Sequence, residues 1–233
     1  ILLTIIFGCK KPSERSCWKS NGEVSHINKV ITITNKITVL DNLNLILIND
    51  SLNEIIIEGP KNLIKLIELD QKNHQITIKN NNKCNFLRKN MDINIHYHYK
   101  QLDSLILKGY GNLSNNGEMN HSIFINAKDA LCSINLKLNN DSNKIIIQNG
   151  STDINLSGHC SYFYFYNEGF GPLKAFELEA KKTHIHSNSI SNSEINVTEQ
   201  LNAEIRNNGN IYYKGTPTII QTTNSGNGRL IPQ

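Results

Sequence analysis

The sequence lacks the features that mark a nucleic-acid-binding or membrane-spanning protein. Its 24 basic residues outnumber the 20 acidic ones only slightly, for a net charge of +4, and they are scattered in short runs. This distribution gives no basic patch for nucleic acid or for an anionic membrane surface. The apolar stretch at residues 1–8 is shorter than the ~20 residues that a membrane-spanning helix needs. We therefore expect no nucleic-acid partner.

The sequence also lacks the short motifs that carry common enzyme chemistry. It contains no G-x-S-x-G, no H-E-x-x-H and no phosphate-binding loop. Without such a constellation, nothing points to a nucleophile, a general base or a metal-activated water. We expect no catalytic residues and no cofactor.

A repeat of about 20 residues is what the sequence does contain. Cut after residues 121, 142, 160, 180, 200 and 218, the stretch from Leu102 to Thr218 falls into six segments of 18 to 21 residues. The segments open with alternating strands such as SYFYFYNEG, followed by turns rich in Asn and Gly and by second strands such as TDINLSG. A fixed period with an all-β unit is typical of a solenoid. We predict an all-β fold, a right-handed parallel β-helix (β-solenoid) with rungs of about 20 residues.

Aligning the first strands predicts which side chains face the core. Side chains two residues apart share a face of a strand, so alternate positions point inward. One expected inward column is Leu105, Ile123, Ile145, Phe163, Thr183 and Ala203. The other is Leu107, Ile125, Ile147, Phe165, Ile185 and Ile205. The second column is apolar at every level, as a stacked core requires.

The outward positions of the same strands form the candidate binding surface. They are unusually apolar and aromatic for a solvated face, and comprise Phe124, Ile146, Tyr164, Tyr166, His184 and His186. A contiguous exposed apolar patch usually marks a site for a partner or ligand. The alternative is that another segment covers these residues, or that they reflect β-propensity alone.

The start of the chain resembles the end of a bacterial lipoprotein signal peptide. Ile6, Phe7, Gly8 and Cys9 are similar to a lipobox, in which a small residue precedes the cysteine that becomes acylated. The resemblance implies lipidation at Cys9 and a lipid-anchored protein of the cell envelope, in the outer membrane. The alternative is a chance apolar stretch before a free cysteine.

The predicted organisation places one continuous domain behind this segment. Residues 1–9 are the signal-peptide end and lipobox, and residues 10–25 are a polar tether. Residues 26–101 are expected to form irregular N-terminal rungs and a cap, with strands at 30–34, 37–40, 44–49, 54–58, 75–79 and 92–99 and helical turns within 61–68. Residues 102–233 are the regular β-helix.

Four further cysteines bear on the redox environment. A protein anchored outside the cytoplasm can form disulfides. Cys17 and Cys84 both lie outside the regular rungs, so we hypothesise a disulfide between them, although four cysteines allow three pairings. Cys132 and Cys160 are expected to be small buried residues of the coil.

Two histidine pairs raise the alternative of metal binding. His96 and His98 share one strand face, and His184 and His186 share another. A zinc site needs a third and usually a fourth ligand, and neither pair has one at matching spacing. We expect outward-facing histidines and no metal site.

A carbohydrate-active β-helix enzyme is the alternative function. Such enzymes need clustered carboxylates for Ca²⁺ and a basic residue that abstracts a proton. Glu177 and Glu179 share a face and could form a carboxylate pair, but the other acidic residues of the rungs stand alone. A surface pair on an ordinary strand is the favoured interpretation.

Taken together, these pieces resemble the putative auto-transporter adhesin, head GIN domain family, over roughly residues 27–231. The matching stretches are 41–50, 55–68, 74–80, 93–114, 151–158 and 207–231. The last one carries a YKG-x-P strand and a Ser-Gly-x-Gly turn, while Asn replaces most of the family's Ser-Gly-Ala-Ser-Asp turns. The resemblance implies a secreted or lipid-anchored β-solenoid of Bacteroidetes-type bacteria, non-catalytic, which binds a surface protein or glycan. A purely structural envelope protein is the other alternative.

Overall fold

The computed structural model describes residues 20–83 and 92–233, which form one sheet of fourteen strands. The strands are β1 (Val24–Val30), β2 (Lys36–Asn42), β3 (Asn44–Asn49), β4 (Glu54–Pro60), β5 (Ile67–Lys72), β6 (Gln75–Asn80), β7 (Asn94–Tyr99), β8 (Ser104–Asn116), β9 (Ile123–Asn167), β10 (Leu173–Ser187), β11 (Ser193–Ile205), β12 (Ile211–Lys214), β13 (Ile219–Asn224) and β14 (Leu230–Pro232). The all-β prediction is confirmed.

Among the described residues, helix is confined to α1 (Lys61–Ile64), a single turn that follows Pro60. It occupies the first half of the predicted helical stretch, and β5 begins at Ile67, where a longer helix would have continued. Within the described parts of the chain, no helix is long and apolar enough to cross a membrane.

The first third of the chain pairs in both directions. β4 lies between β1 and β7 and is antiparallel to both, and β5 is antiparallel to β6. β2 and β3 instead pair in parallel with β8, which joins this region to the rest of the sheet. The sheet is therefore mixed and not uniformly parallel.

The strand predicted at residues 30–34 is wrong. β1 ends at Val30, and the backbone N–H of Ile31 donates to the carbonyl of Asn53 outside any strand. The side-chain amide of Gln71 accepts a hydrogen bond from the backbone N–H of Thr32 and donates one to the carbonyl of Thr32. These contacts satisfy the backbone without a ladder, so the alternating VITIT pattern does not produce a strand.

From β8 onward every strand pair is parallel. In the pairings among β8 to β14, paired residues lie 17 to 21 positions apart in the sequence. Examples are Leu105 with Ile125, Phe165 with Ile185 and Glu179 with Asn196. β9 has 45 residues and would span roughly 150 Å if straight. Asn155 instead donates to Asn135, 20 residues earlier in the same strand, so β9 bends and returns beside itself.

The core is a stack of the predicted inward side chains. All twelve residues of the two inward columns are buried, which confirms their orientation. The aromatic rings of Phe163 and Phe165 stack within this core, 6.1 Å apart and 16° from parallel. Thr183 is the polar member of its column, and its buried hydroxyl has no hydrogen-bond partner.

The predicted register between neighbouring segments is wrong at both ends of the repeat. Leu105 pairs with Ile125 and not with Ile123, and Thr183 pairs with Leu201 and not with Ala203. In the middle, the predicted pairs of Phe163 with Thr183 and Phe165 with Ile185 are confirmed. Both errors are slips of two residues, which leave every side chain on its predicted face.

Candidate functional site

The six residues of the candidate binding surface lie together on β9 and β10, and we call them the aromatic–histidine ribbon. The ribbon consists of Phe124, Ile146, Tyr164, Tyr166, His184 and His186. All six side chains are half-buried, so no segment within residues 20–83 and 92–233 covers the ribbon completely. A partner can therefore reach these side chains, and neighbouring side chains restrict their conformations.

Parallel pairing of β9 with β10 brings the ribbon's rings together. Tyr164 stands beside His184 and Tyr166 beside His186 in the register. The ring centroids of His184 and His186 are 4.5 Å apart and stacked, and Tyr164 meets His184 edge-on at 5.4 Å. Tyr166 lies 6.1 Å from His186. Four rings therefore form one continuous surface on two strands.

Lys144 extends this surface to Phe124. Its Nζ lies 5.6 Å from the ring centroid of Phe124 and 5.0 Å from that of Tyr164. An ammonium group over two ring faces is a cation–π arrangement, which fixes the lysine above the ribbon. Sequence reasoning missed Lys144, although its even position beside Ile145 places it on the outward face.

An ion pair closes the other end of the ribbon. His186 Nδ1 contacts a carboxylate oxygen of Glu204, and Arg206 Nε donates to the other oxygen at 2.7 Å. The register of β10 and β11 pairs His186 with Glu204. Glu204 thus connects the histidine rings to the guanidinium.

The electrostatics of the ribbon follow from these contacts. Burial and the neighbouring His186 lower the pKa of His184, and Glu204 offsets part of this effect, so His184 is neutral at neutral pH. The hydrogen bond from Arg206 lowers the pKa of Glu204, which stays ionised. Burial and the hydrogen bond to Glu168 raise the pKa of Tyr166. The ribbon is therefore an aromatic strip with Lys144 over Phe124 and Tyr164, and with the Glu204–Arg206 ion pair beside His186.

The two histidines of the other pair, His96 and His98, contact different carboxylates. His96 Nε2 lies 3.0 Å from Glu58, and His98 Nδ1 lies 2.7 Å from Asp50. In residues 20–83 and 92–233 no three side chains of His, Cys, Asp or Glu are grouped as metal ligands would be. Each of these histidines therefore has a local structural partner.

The remaining candidate residues are not brought into the ribbon. Glu177 and Glu179 are exposed, and Glu179 lies 3.9 Å from His159. Cys160 is buried as expected, and burial raises its pKa to about 11. Cys132 is only half-buried, contrary to expectation, and its thiol lies 3.6 Å from the hydroxyl of the buried Thr152. Cys9, Cys17 and Cys84 lie outside the described residues.

Residues 35–217 match the model of a family described as putative auto-transporter adhesin, head GIN domain. No curated protein matches the chain. A putative adhesin from Bacteroides fragilis has a similar structure, with a TM-score of 0.83, 21% identity and coverage of 91% of this chain and 97% of that one. A putative adhesin from Parabacteroides merdae gives a TM-score of 0.63 at 19% identity, covering 91% and 96%. A putative lipid binding protein from Parabacteroides distasonis gives 0.61 at 19% identity, covering 90% and 97%.

Proposed function

The chain belongs to the putative auto-transporter adhesin, head GIN domain family, and on that premise we propose that it is a non-catalytic adhesin of the cell envelope. It binds a surface protein or glycan through the aromatic–histidine ribbon. The observation that carries this proposal is the continuous strip of Tyr164, Tyr166, His184 and His186 beside Lys144. Binding surfaces concentrate their energy in such half-buried aromatic residues.

Of the two partner classes, the ribbon favours a protein. Tyrosines that are already held by their neighbours lose little conformational freedom when a partner covers them. Lys144 over the rings and the Glu204–Arg206 pair beside His186 place charges next to the apolar strip, which matches the polar rim of a protein interface. A glycan partner is the second possibility, because aromatic rings also pack against sugar faces.

The proposed architecture is a right-handed parallel β-helix from β8 onward. Parallel partners at a spacing of 17 to 21 residues and the return of β9 beside itself support a coil. The right hand is expected because crossovers between parallel strands of one sheet are almost always right-handed. In this geometry the ribbon runs along the coil axis and presents several rungs to one partner.

The proposed location is the outer membrane, with a lipid anchor at Cys9. The lipobox-like Ile6–Cys9 segment supports this assignment, and the adhesin family suggests an envelope-associated or extracellular protein. Cys17 and Cys84 form a disulfide in this proposal. An oxidising compartment outside the cytoplasm would maintain that bond.

The test of the ribbon is a binding assay with a matched control. Wild-type protein is measured by biolayer interferometry against immobilised fibronectin, laminin, collagen and mucin. Tyr164→Ala with Tyr166→Ala is expected to weaken binding to the recognised protein about tenfold or more, because two anchoring rings are lost. Tyr110→Ala with Phe170→Ala removes two exposed rings outside the ribbon and should leave the affinity unchanged. Equal affinities of the ribbon variant and wild type would refute the assignment.

A further inference from the structure

A second surface feature, a groove of about 580 Å³, lies on the second strands of the rungs. It is lined by the end of β8, the middle of β9, the starts of β10 and β11, and β12. The side chains that matter most here are Asn135, Asn155, Lys174, Phe176, Glu194 and Lys214. No residue of the aromatic–histidine ribbon lines the groove.

Strand register arranges the polar side chains of the groove in a row. Ser114 pairs with Asn135, Asn155 pairs with Lys174, and Lys174 pairs with Glu194. Asn155 Nδ2 donates to Asn135 Oδ1 at 2.8 Å, which joins the two pairs. Five neighbouring strand segments therefore contribute one residue each, and at about 4.8 Å per strand the row is ~19 Å long. This length suits an extended chain molecule.

The charges of the groove balance one another. Lys137 is neutralised by Glu118 at 2.8 Å. The other charged side chains of the groove are two lysines and two glutamates, Lys174, Lys214, Glu177 and Glu194. None of them forms an ion pair with a described residue. An anionic or cationic ligand gains no net attraction from two charges of each sign. The groove thus favours a ligand without net charge.

The hydrogen-bonding groups of the groove include both donors and acceptors. Lysines only donate, glutamates only accept, and the amides of Asn135 and Asn155 do both. Phe176 adds a half-buried ring whose position is held by Lys214 Nζ, 4.4 Å from the ring centroid. A ligand rich in hydroxyl groups can use every one of these partners, since each hydroxyl both donates and accepts.

From these features we propose that the groove binds a neutral saccharide chain. Sugar hydroxyls pair with the row from Asn135 to Glu194, and a C–H face of the sugar packs against Phe176. An acyl chain would leave the amides and charges unpaired, which disfavours a lipid. This site is separate from the ribbon and does not depend on the function proposed for it.

The experiment uses neutral oligosaccharides as probes. Gluco-, manno- and xylo-hexasaccharides are titrated into the protein by calorimetry, with an oligogalacturonate of the same length as the charged comparison. Asn155→Ala with Lys174→Ala is expected to weaken the binding of the recognised neutral chain at least tenfold. Both side chains are exposed, so the variant should fold normally.

The chain offers a closely matched control, Asn227→Ala with Lys182→Ala. Asn227 is exposed and donates to Asn208 Oδ1 at 3.0 Å, as Asn155 does to Asn135, while Lys182 is an exposed lysine of β10, as Lys174 is. This variant and the ribbon variant should both bind the saccharide as wild type does. Phe176→Leu keeps an apolar side chain but removes the ring, and should weaken binding severalfold.

Three results would overturn the proposal. The first is that no neutral hexasaccharide binds the wild-type protein. The second is that Asn155→Ala with Lys174→Ala binds as tightly as the control variant. The third is tighter binding of the oligogalacturonate than of every neutral chain. Loss of saccharide binding in the ribbon variant alone would assign the sugar to the ribbon and remove it from the groove.

Discussion

At the scale of single residues, the tight stacking of neighbouring segments depends on glycine at their corners. Gly158 has a φ of +104°, and a Cβ there would lie 2.0 Å from the carbonyl oxygen of Leu138, 20 residues earlier. Gly117 also has a positive φ, +84°, but no atom lies within 4 Å of its Cβ position. Alanine substitutions at these two glycines therefore separate two contributions to the free energy of unfolding. One is the strain of the positive φ, and the other is the clash of a Cβ with the neighbouring rung.

Gly158→Ala is expected to lower the free energy of unfolding by about 3 kcal/mol or more, because the methyl group meets backbone that cannot move aside. Gly117→Ala should cost about 1–2 kcal/mol, from the backbone conformation alone. Urea denaturation of both variants and wild type measures the two values. Equal losses would show that the stacking of Gly158 on Leu138 contributes nothing beyond the local strain.

At the scale of strands, the alternation of side chains determines which residues are buried. Phe165 is fully buried between stacked strands, whereas Phe170, five residues later, is 56% exposed in the turn that follows β9. The same residue type therefore has opposite roles within one rung. The difference comes from position, since Phe165 lies on the inward face of β9 whereas Phe170 lies beyond the end of that strand.

Phe165→Ala should destabilise the protein by about 3–5 kcal/mol, since it leaves a cavity in a closely packed core. Phe170→Ala should change the stability by less than about 0.5 kcal/mol, because its ring is largely solvated. Thermal and urea unfolding monitored by circular dichroism compares the two. A small effect of Phe165→Ala would mean that the Phe163–Phe165 stack is not a central part of the core.

At the scale of the whole molecule, the parallel strands from β8 onward give the protein a long, repetitive surface, while antiparallel and parallel pairs together form its N-terminal part. The polar tether predicted at residues 10–25 would join this body to the acyl anchor proposed at Cys9. A surface that repeats along one axis suits a protein that meets large partners.

The anchor is tested on the natural full-length protein expressed in a diderm bacterium. Intact mass is expected to show acyl chains on Cys9, and processing should stop in the presence of globomycin. The Cys9→Ala variant should carry no acyl mass. Non-reducing peptide mapping of the same material should join Cys17 to Cys84 and leave Cys132 and Cys160 as thiols. An unmodified Cys9 would contradict the anchor, and a free thiol at Cys84 would contradict the disulfide.

The sequence by itself determined the properties that depend on local periodicity. The all-β class, the repeat of about 20 residues and the inward face of every predicted core residue follow from alternation, because side chains on a strand reverse direction at each step. The same alternation located the ribbon residues from Phe124 to His186. The strand type and the facing of each side chain are encoded within six or eight consecutive residues, and the repeat within two successive segments.

Only the tertiary structure decided the direction and register of pairing. Period two is the same in parallel and antiparallel strands, so the pairing of β4 with β1 and β7 could not be read from the pattern. A slip of two residues keeps every face, so Leu105 beside Ile125 looks equivalent to Leu105 beside Ile123. Register depends on contacts between residues 17 to 21 apart, and these contacts alone brought Lys144 over the ribbon and assembled the groove from six strand segments.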